Sequence, residues 1–126
     1  MQIACTKKLL DYLAIKPVPA DITINPVMSW SANIITINRR NVIVVANDSS
    51  RYGFVLYGIK SEDTKKLDKL ICDSIRTCLE AECISPELID RYMTDSGAAI
   101  FTKTANRSTV ARLNKLCEIA MFFKEE

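Results

Sequence analysis

The sequence has no histidine. That removes the commonest general base, the Ser-His and Cys-His nucleophile pairs, and most zinc and iron ligand sets. It has only three glycines, and they are dispersed, so no Gly-rich loop is available to cradle phosphates. No pair of carboxylates is spaced as an acid–base couple. No apolar run approaches the roughly 20 residues that a membrane-spanning helix needs. The opening, Met1 to Lys8, carries its charge after its apolar residues and lacks a long apolar core, so no secretory signal is expected. The formal charge of +2 is too small to argue for nucleic acid or an anionic membrane by itself. The five cysteines, Cys5, Cys72, Cys78, Cys83 and Cys117, include no C-x-x-C and are odd in number. Reduced, buried thiols in a cytoplasmic protein are expected, with no metal and no cofactor.

What is present is a β-rich stretch, Trp30 to Ile59. Runs rich in Val, Ile and aromatics near 33–38, 42–47 and 53–58 are separated by Asn/Arg and Asn/Asp/Ser clusters. β-branched residues fit a pleated, half-buried surface, and the polar clusters mark chain reversals. The reading is an antiparallel meander. Val42-Ile43-Val44-Val45-Ala46 is apolar on both alternating faces, which marks a central strand covered on both sides. Ile3–Cys5 is expected to join the sheet, 98–102 to form a last strand, and Ile22 and Ile24 to lie on an edge strand. Pro17, Pro19 and Pro26 make 16–29 an extended connector.

Helices follow from spacing. Thr6 caps a short one carrying Leu9, Leu10 and Leu13. Ser61 opens a main helix over about 61–82, with Leu67, Leu70, Ile71, Ile75, Cys78 and Leu79 as one apolar stripe. Ser85-Pro86-Glu87 starts another, which ends before Ser96-Gly97. A last helix near 106–123, capped by Thr104 or Ser108, buries Val110, Leu113, Leu116, Cys117, Ala120 and Phe123. The expected architecture is a single α+β domain over 1–126. Its antiparallel sheet of about four to six strands packs against two main helices.

The polar residues that stand out sit at element ends. Lys7 and Lys8 lie at a helix start, as solvated lysines or as part of an anion site. Asn33 heads a strand, to hold a loop or to touch a ligand. Arg39 and Arg40 lie at a hairpin tip, as plain surface charges or as a bidentate fork for phosphate or carboxylate. Trp30 is a core or rim anchor, or a stacking platform. Asp48 reads as a turn former. Lys103, Asn106 and Arg107 fall where a strand hands over to a helix. The expectation is that Arg39, Arg40, Lys103, Asn106 and Arg107, with Lys7 and Asn33, gather as a site for an anionic partner.

The runs M-x-I-x-C-T-K-K-L-L, W-x-A-N-x-x-T-I-N-R-R and K-T-x-N-R-S, in this order, resemble a family of small bacterial and mobile-element proteins known as a domain of unknown function. The resemblance covers nearly the whole chain and imports no activity. It picks out Cys5, Thr6, Lys7, Lys8, Trp30, Ala32, Asn33, Arg39, Arg40, Lys103, Thr104, Asn106, Arg107 and Ser108. Ser31 stands where such sequences are expected to carry Tyr or His. Small size, the family setting and the lack of catalytic chemistry together point to a non-enzymatic binding protein, phage or mobile-element encoded. It would inhibit a host defence by binding a protein with an acidic surface or by sequestering a nucleotide signal. The alternative is a nucleic-acid-binding accessory protein with a local Arg/Lys patch, and an enzyme is the remaining class. Salt-steep binding to nucleic acid distinguishes the alternative from salt-insensitive binding to one protein.

Overall fold

Val42, Ile43, Val44 and Val45 are all buried, at the heart of a sheet covered on both sides. The structure, a computed structural model, describes residues 1–50, 52–104 and 107–124, and at 107, 108, 123 and 124 the backbone alone. Strands β2 (Ser29–Ile37), β3 (Arg40–Asn47) and β4 (Gly53–Ile59) form the expected antiparallel meander. Strand β1 (Gln2–Cys5) lies parallel to β2, and the last strand, β5 (Ile100–Lys103), lies parallel to β1. The order is β4-β3-β2-β1-β5. The fold is therefore α+β, but the five-stranded sheet is mixed rather than wholly antiparallel. The reason is connectivity: a hairpin can join only antiparallel strands, whereas β1 reaches β2 and β4 reaches β5 through helical crossovers.

The first crossover is α1 (Lys7–Leu13), with Thr6 as its cap: the Leu9 N–H donates to the Thr6 hydroxyl at 3.3 Å. The second contains α2 (Leu67–Ala81) and α3 (Pro86–Ser96). Ser85 caps α3 as its spacing suggests. The main helix begins later than Ser61. Residues Ser61–Lys66 form a 3-10 turn, closed by the Asp63 carboxylate accepting from the Lys60 N–H at 2.9 Å. Ile22 and Ile24 form no strand. Ile22 is 97% exposed, and the connector instead tightens into a 3-10 turn over Pro26–Met28, capped by the Asn25 amide oxygen. The last strand starts at Ile100 rather than Ala98.

Alternation along the strands divides the core in two. Ile3, Trp30, Ala32, Ile34, Ile43 and Val45 face α1 and α2, where Leu9, Leu13, Leu67, Ile71 and Ile75 complete one cluster. Val42, Val44 and Ile37 face the other way, onto Leu113 and Cys117 of α4 (Arg107–Lys124). Each such aliphatic side chain contributes about 1.5–3 kcal/mol when removed from water. Among the described residues no helix is long and apolar enough to cross a membrane.

Candidate functional site

The β2–β3 hairpin has a two-residue turn. Asn38 and Arg39 both take positive φ, 51° and 66°, the geometry whose twist matches flanking strands. Opposite it, β3 and β4 slip register between Asn41 and Val42, leaving Gly58 as an extra residue between the Tyr57 and Ile59 pairings. Gly58 has φ +67°, and a Cβ placed on it meets nothing within 4 Å. Positive φ costs glycine nothing, and such a bulge bends the strand. The result is a concavity of about 340 Å³ lined by Arg39, Arg40, Asn41, Gly58, Ile59 and Lys60. Arg39, Arg40 and Lys60 are exposed, and none is ion-paired with a described acid. The nearest carboxylates on the chain path are Glu62, which forms no ion pair with a described residue, and Asp63, which already accepts from the Lys60 backbone.

The other described members of the expected set, Lys7, Asn33 and Lys103, lie near the C-terminal ends of β1 and β5. Lys103, exposed, lies opposite Cys5, which lies opposite Ala32. From Ala32 the hairpin runs on to Ile37, about 17 Å further at the rise of an extended strand. Lys103 is therefore not part of the hairpin concavity. Lys7 is an exposed first residue of α1. Asn106 and the Arg107 side chain lie outside the described residues. Asn33 holds structure together: its amide oxygen accepts from Thr6 Oγ1 at 2.6 Å, and its amide nitrogen reaches Cys117 Sγ at 4.0 Å. It thereby ties β2 to the start of α1 and to α4.

Asp48 does more than turn the chain. Its carboxylate accepts from the Ser29 and Ser31 hydroxyls, both at 2.7 Å, and its backbone N–H donates to Ser29 O. Ser31 is fully buried, so a hydroxyl there needs this partner. The short side chain at 31 and the acid at 48 form one unit, a pairing no local sequence signal marks.

A cavity of about 730 Å³ was not anticipated from the sequence. It opens at the other end of β2, between the β3–β4 turn and helices α2 and α3. Trp30, Tyr52 and Tyr92 line it with Ile75, Leu79, Ile84, Leu88 and Ile89. Trp30 is the second residue of β2 and is buried. It tilts against Phe54 and donates through Nε1 to the Tyr92 hydroxyl at 3.1 Å, which donates in turn to Val27 O. Burial holds the Tyr92 phenol above its ordinary value, with the Trp30 N–H pulling the other way. The walls come from separate segments of the chain, so only the helical period of α2 and α3 hinted at one side of it.

The cysteines are free thiols: Cys5 and Cys117 are buried, Cys72 and Cys78 half-buried, and Cys83 exposed. Cys72 was expected to be buried on its helix stripe; it lies instead at the margin of the core. Burial pushes the Cys5 thiol up to about 12. Among the described residues no three of Cys, Asp or Glu gather as metal ligands.

These features define a small α+β protein with a basic hairpin concavity and an apolar cleft at opposite ends of one strand. Over residues 2–126 the chain matches the family described as Domain of unknown function (DUF6933), and it belongs to that family. No curated protein and no solved structure matches it.

Proposed function

We propose that the protein is a non-enzymatic binding module whose hairpin end takes an anionic group of a partner. The observation that carries this reading is the convergence of Arg39, Arg40 and Lys60 on one concavity without an internal counter-ion among the described acids. Guanidinium pairs offer planar forks to carboxylate or phosphate, and a lysine adds a point charge. The narrower proposals concern the partner: a host-defence protein with an acidic surface, or a nucleotide signal. They draw support from small size and family setting, and phage plating on a defended host expressing the protein checks them. Five free thiols support a reducing, cytoplasmic setting.

The direct test is titration with inorganic pyrophosphate, a polyglutamate peptide and a short single-stranded oligonucleotide. Saturable binding of at least one is expected. Arg40→Ala should weaken it by about 1.5–3 kcal/mol, roughly ten- to a hundredfold, with the melting temperature unchanged. Arg39→Gly separates fold from ligand: glycine relieves the left-handed φ, so stability should rise by up to about 1 kcal/mol while affinity falls. A steep salt slope with the oligonucleotide alone would favour nucleic acid. Absence of binding to all three probes, or unfolding by Arg40→Ala, overturns the reading.

A further inference from the structure

We infer that the cleft beside Trp30 is a second, independent binding site, and that it takes a small organic cation with an apolar body and an ammonium head. Its volume of about 730 Å³ falls within the range of small-molecule sites. Val27, Tyr52, Ile84 and Leu88 are large apolar or aromatic side chains left exposed, and all of them line this one cleft. Apolar side chains scattered singly over a surface need no explanation, but a group of them around one concavity marks a place where something docks.

The polar groups of the cleft decide what kind of ligand fits. Asn47 is engaged at both ends of its amide: its nitrogen donates to Val27 O, and its oxygen accepts from the Ser49 and Ser50 N–H groups. Ser50 donates its hydroxyl to Asn47 and accepts from the Tyr52 N–H. The Tyr92 hydroxyl is held between Trp30 and Val27. These groups fix the walls and have little left for a ligand. What remains is Glu82, beside Cys78 and the Tyr52 phenol, which its hydrogen bond with Cys78, burial and then the Glu82 carboxylate hold above its ordinary value. Glu82 forms no ion pair with a described residue, and no described Lys or Arg lines the cleft.

A single acid at the edge of an apolar cleft with aromatic walls matches a cation. An ammonium group gains from the carboxylate and from aromatic faces, while its hydrocarbon part replaces water on Ile84, Leu88 and Ile89. A carboxylate of the same shape would meet Glu82 with like charge. The ring of Tyr92 is already fixed by its hydroxyl's hydrogen bonds, so little ordering remains to be done on binding. The cleft and the hairpin concavity lie at opposite ends of β2, so occupation of one leaves the other free.

Trp30 is the only tryptophan, so its fluorescence reports directly on this cleft. The experiment titrates the protein with 2-phenylethylammonium, 2-phenylethanol and 3-phenylpropionate, which share a ring and differ in charge. The ammonium should change Trp30 emission saturably, with the carboxylate weaker on the order of tenfold or more. Glu82→Gln should lower the ammonium affinity by about tenfold and leave the alcohol unchanged. Glu82 is exposed, so this variant should keep the far-UV spectrum of the parent. Leu88→Asp, also at an exposed position, should weaken the alcohol and so confirm the apolar wall. Equal binding of all three compounds, or no effect of Glu82→Gln on the ammonium, removes the charge preference. No response of Trp30 to any of them overturns the site.

Discussion

Cys5 shows how one buried side chain sets a dependence on pH. It lies fully buried in β1, its thiol turned to Ile3 O at 3.6 Å. Burial disfavours the thiolate and pushes the group up to about 12; in an unfolded chain it titrates near 8.5. Between these values the unfolded chain has released a proton that the folded one keeps, so stability falls as pH rises. The contribution is complete below about pH 8.5 and declines by up to about 1.4 kcal/mol per pH unit toward the folded value. Burial raises Cys117 and Cys72 as well, with the same sign. Urea unfolding at pH 8, 9 and 10 checks this. The parent should lose stability across the series, and Cys5→Ala, though less stable at pH 8, should lose less. Equal slopes would mean that the Cys5 thiol ionises in the folded protein.

At the scale of elements, the contact between β4 and α4 rests on a missing side chain. A Cβ on Gly53 would stand 2.5 Å from Leu116 Cδ2 and 2.9 Å from the Val45 carbonyl oxygen. The leucine can turn aside, but the neighbouring backbone is held in the β3–β4 ladder. Gly53→Ala should therefore cost about 1–3 kcal/mol, seen as a lower urea midpoint with an unchanged slope. Parent-like stability would place α4 further from the sheet. The sequence showed much at this scale. The meander was legible because Val and Ile runs alternate with Asn, Asp and Ser clusters, and the caps at Thr6 and Ser85 because their spacing is local. The direction of β1 and β5 was not, since it depends on crossovers rather than on the strands themselves. Nor was the delay of α2 to Leu67, where Lys60 takes the N-cap position instead of Ser61 and the Asp63 carboxylate accepts from the Lys60 N–H, closing a 3-10 turn over Ser61–Lys66. Of the candidate site, Arg39 and Arg40 were legible as a hairpin tip. Lys60 joined them only through the bulge at Gly58, and the Trp30 cleft needed four distant segments brought together.

At the scale of the molecule, the question is whether the two core layers are one. Strand β3 feeds both: Ile43 and Val45 pack under α1 and α2, and Val42 and Val44 under α4. Successive residues on one chain cannot leave their layers separately without losing the ladder to β2 and β4. Loss of α4 would expose Val42, Val44 and Leu113 together and should carry the other face with it. Ile75→Val on the α2 side should cost about 0.5–1.5 kcal/mol and Leu113→Ala on the α4 side about 2–5 kcal/mol. Both side chains are fully buried, on opposite sides of the sheet, so the double variant should equal the sum within about 0.5 kcal/mol. Trp30 reports from the α2 face, and far-UV circular dichroism reports from all helices, α4 included. In a cooperative fold Leu113→Ala lowers both unfolding midpoints equally, although Leu113 lies across the sheet from the tryptophan. If α4 instead melted by itself, circular dichroism would show an early phase while the Trp30 midpoint stayed at the parent value. That separation would leave the meander and α2 as a core that stands without its second layer.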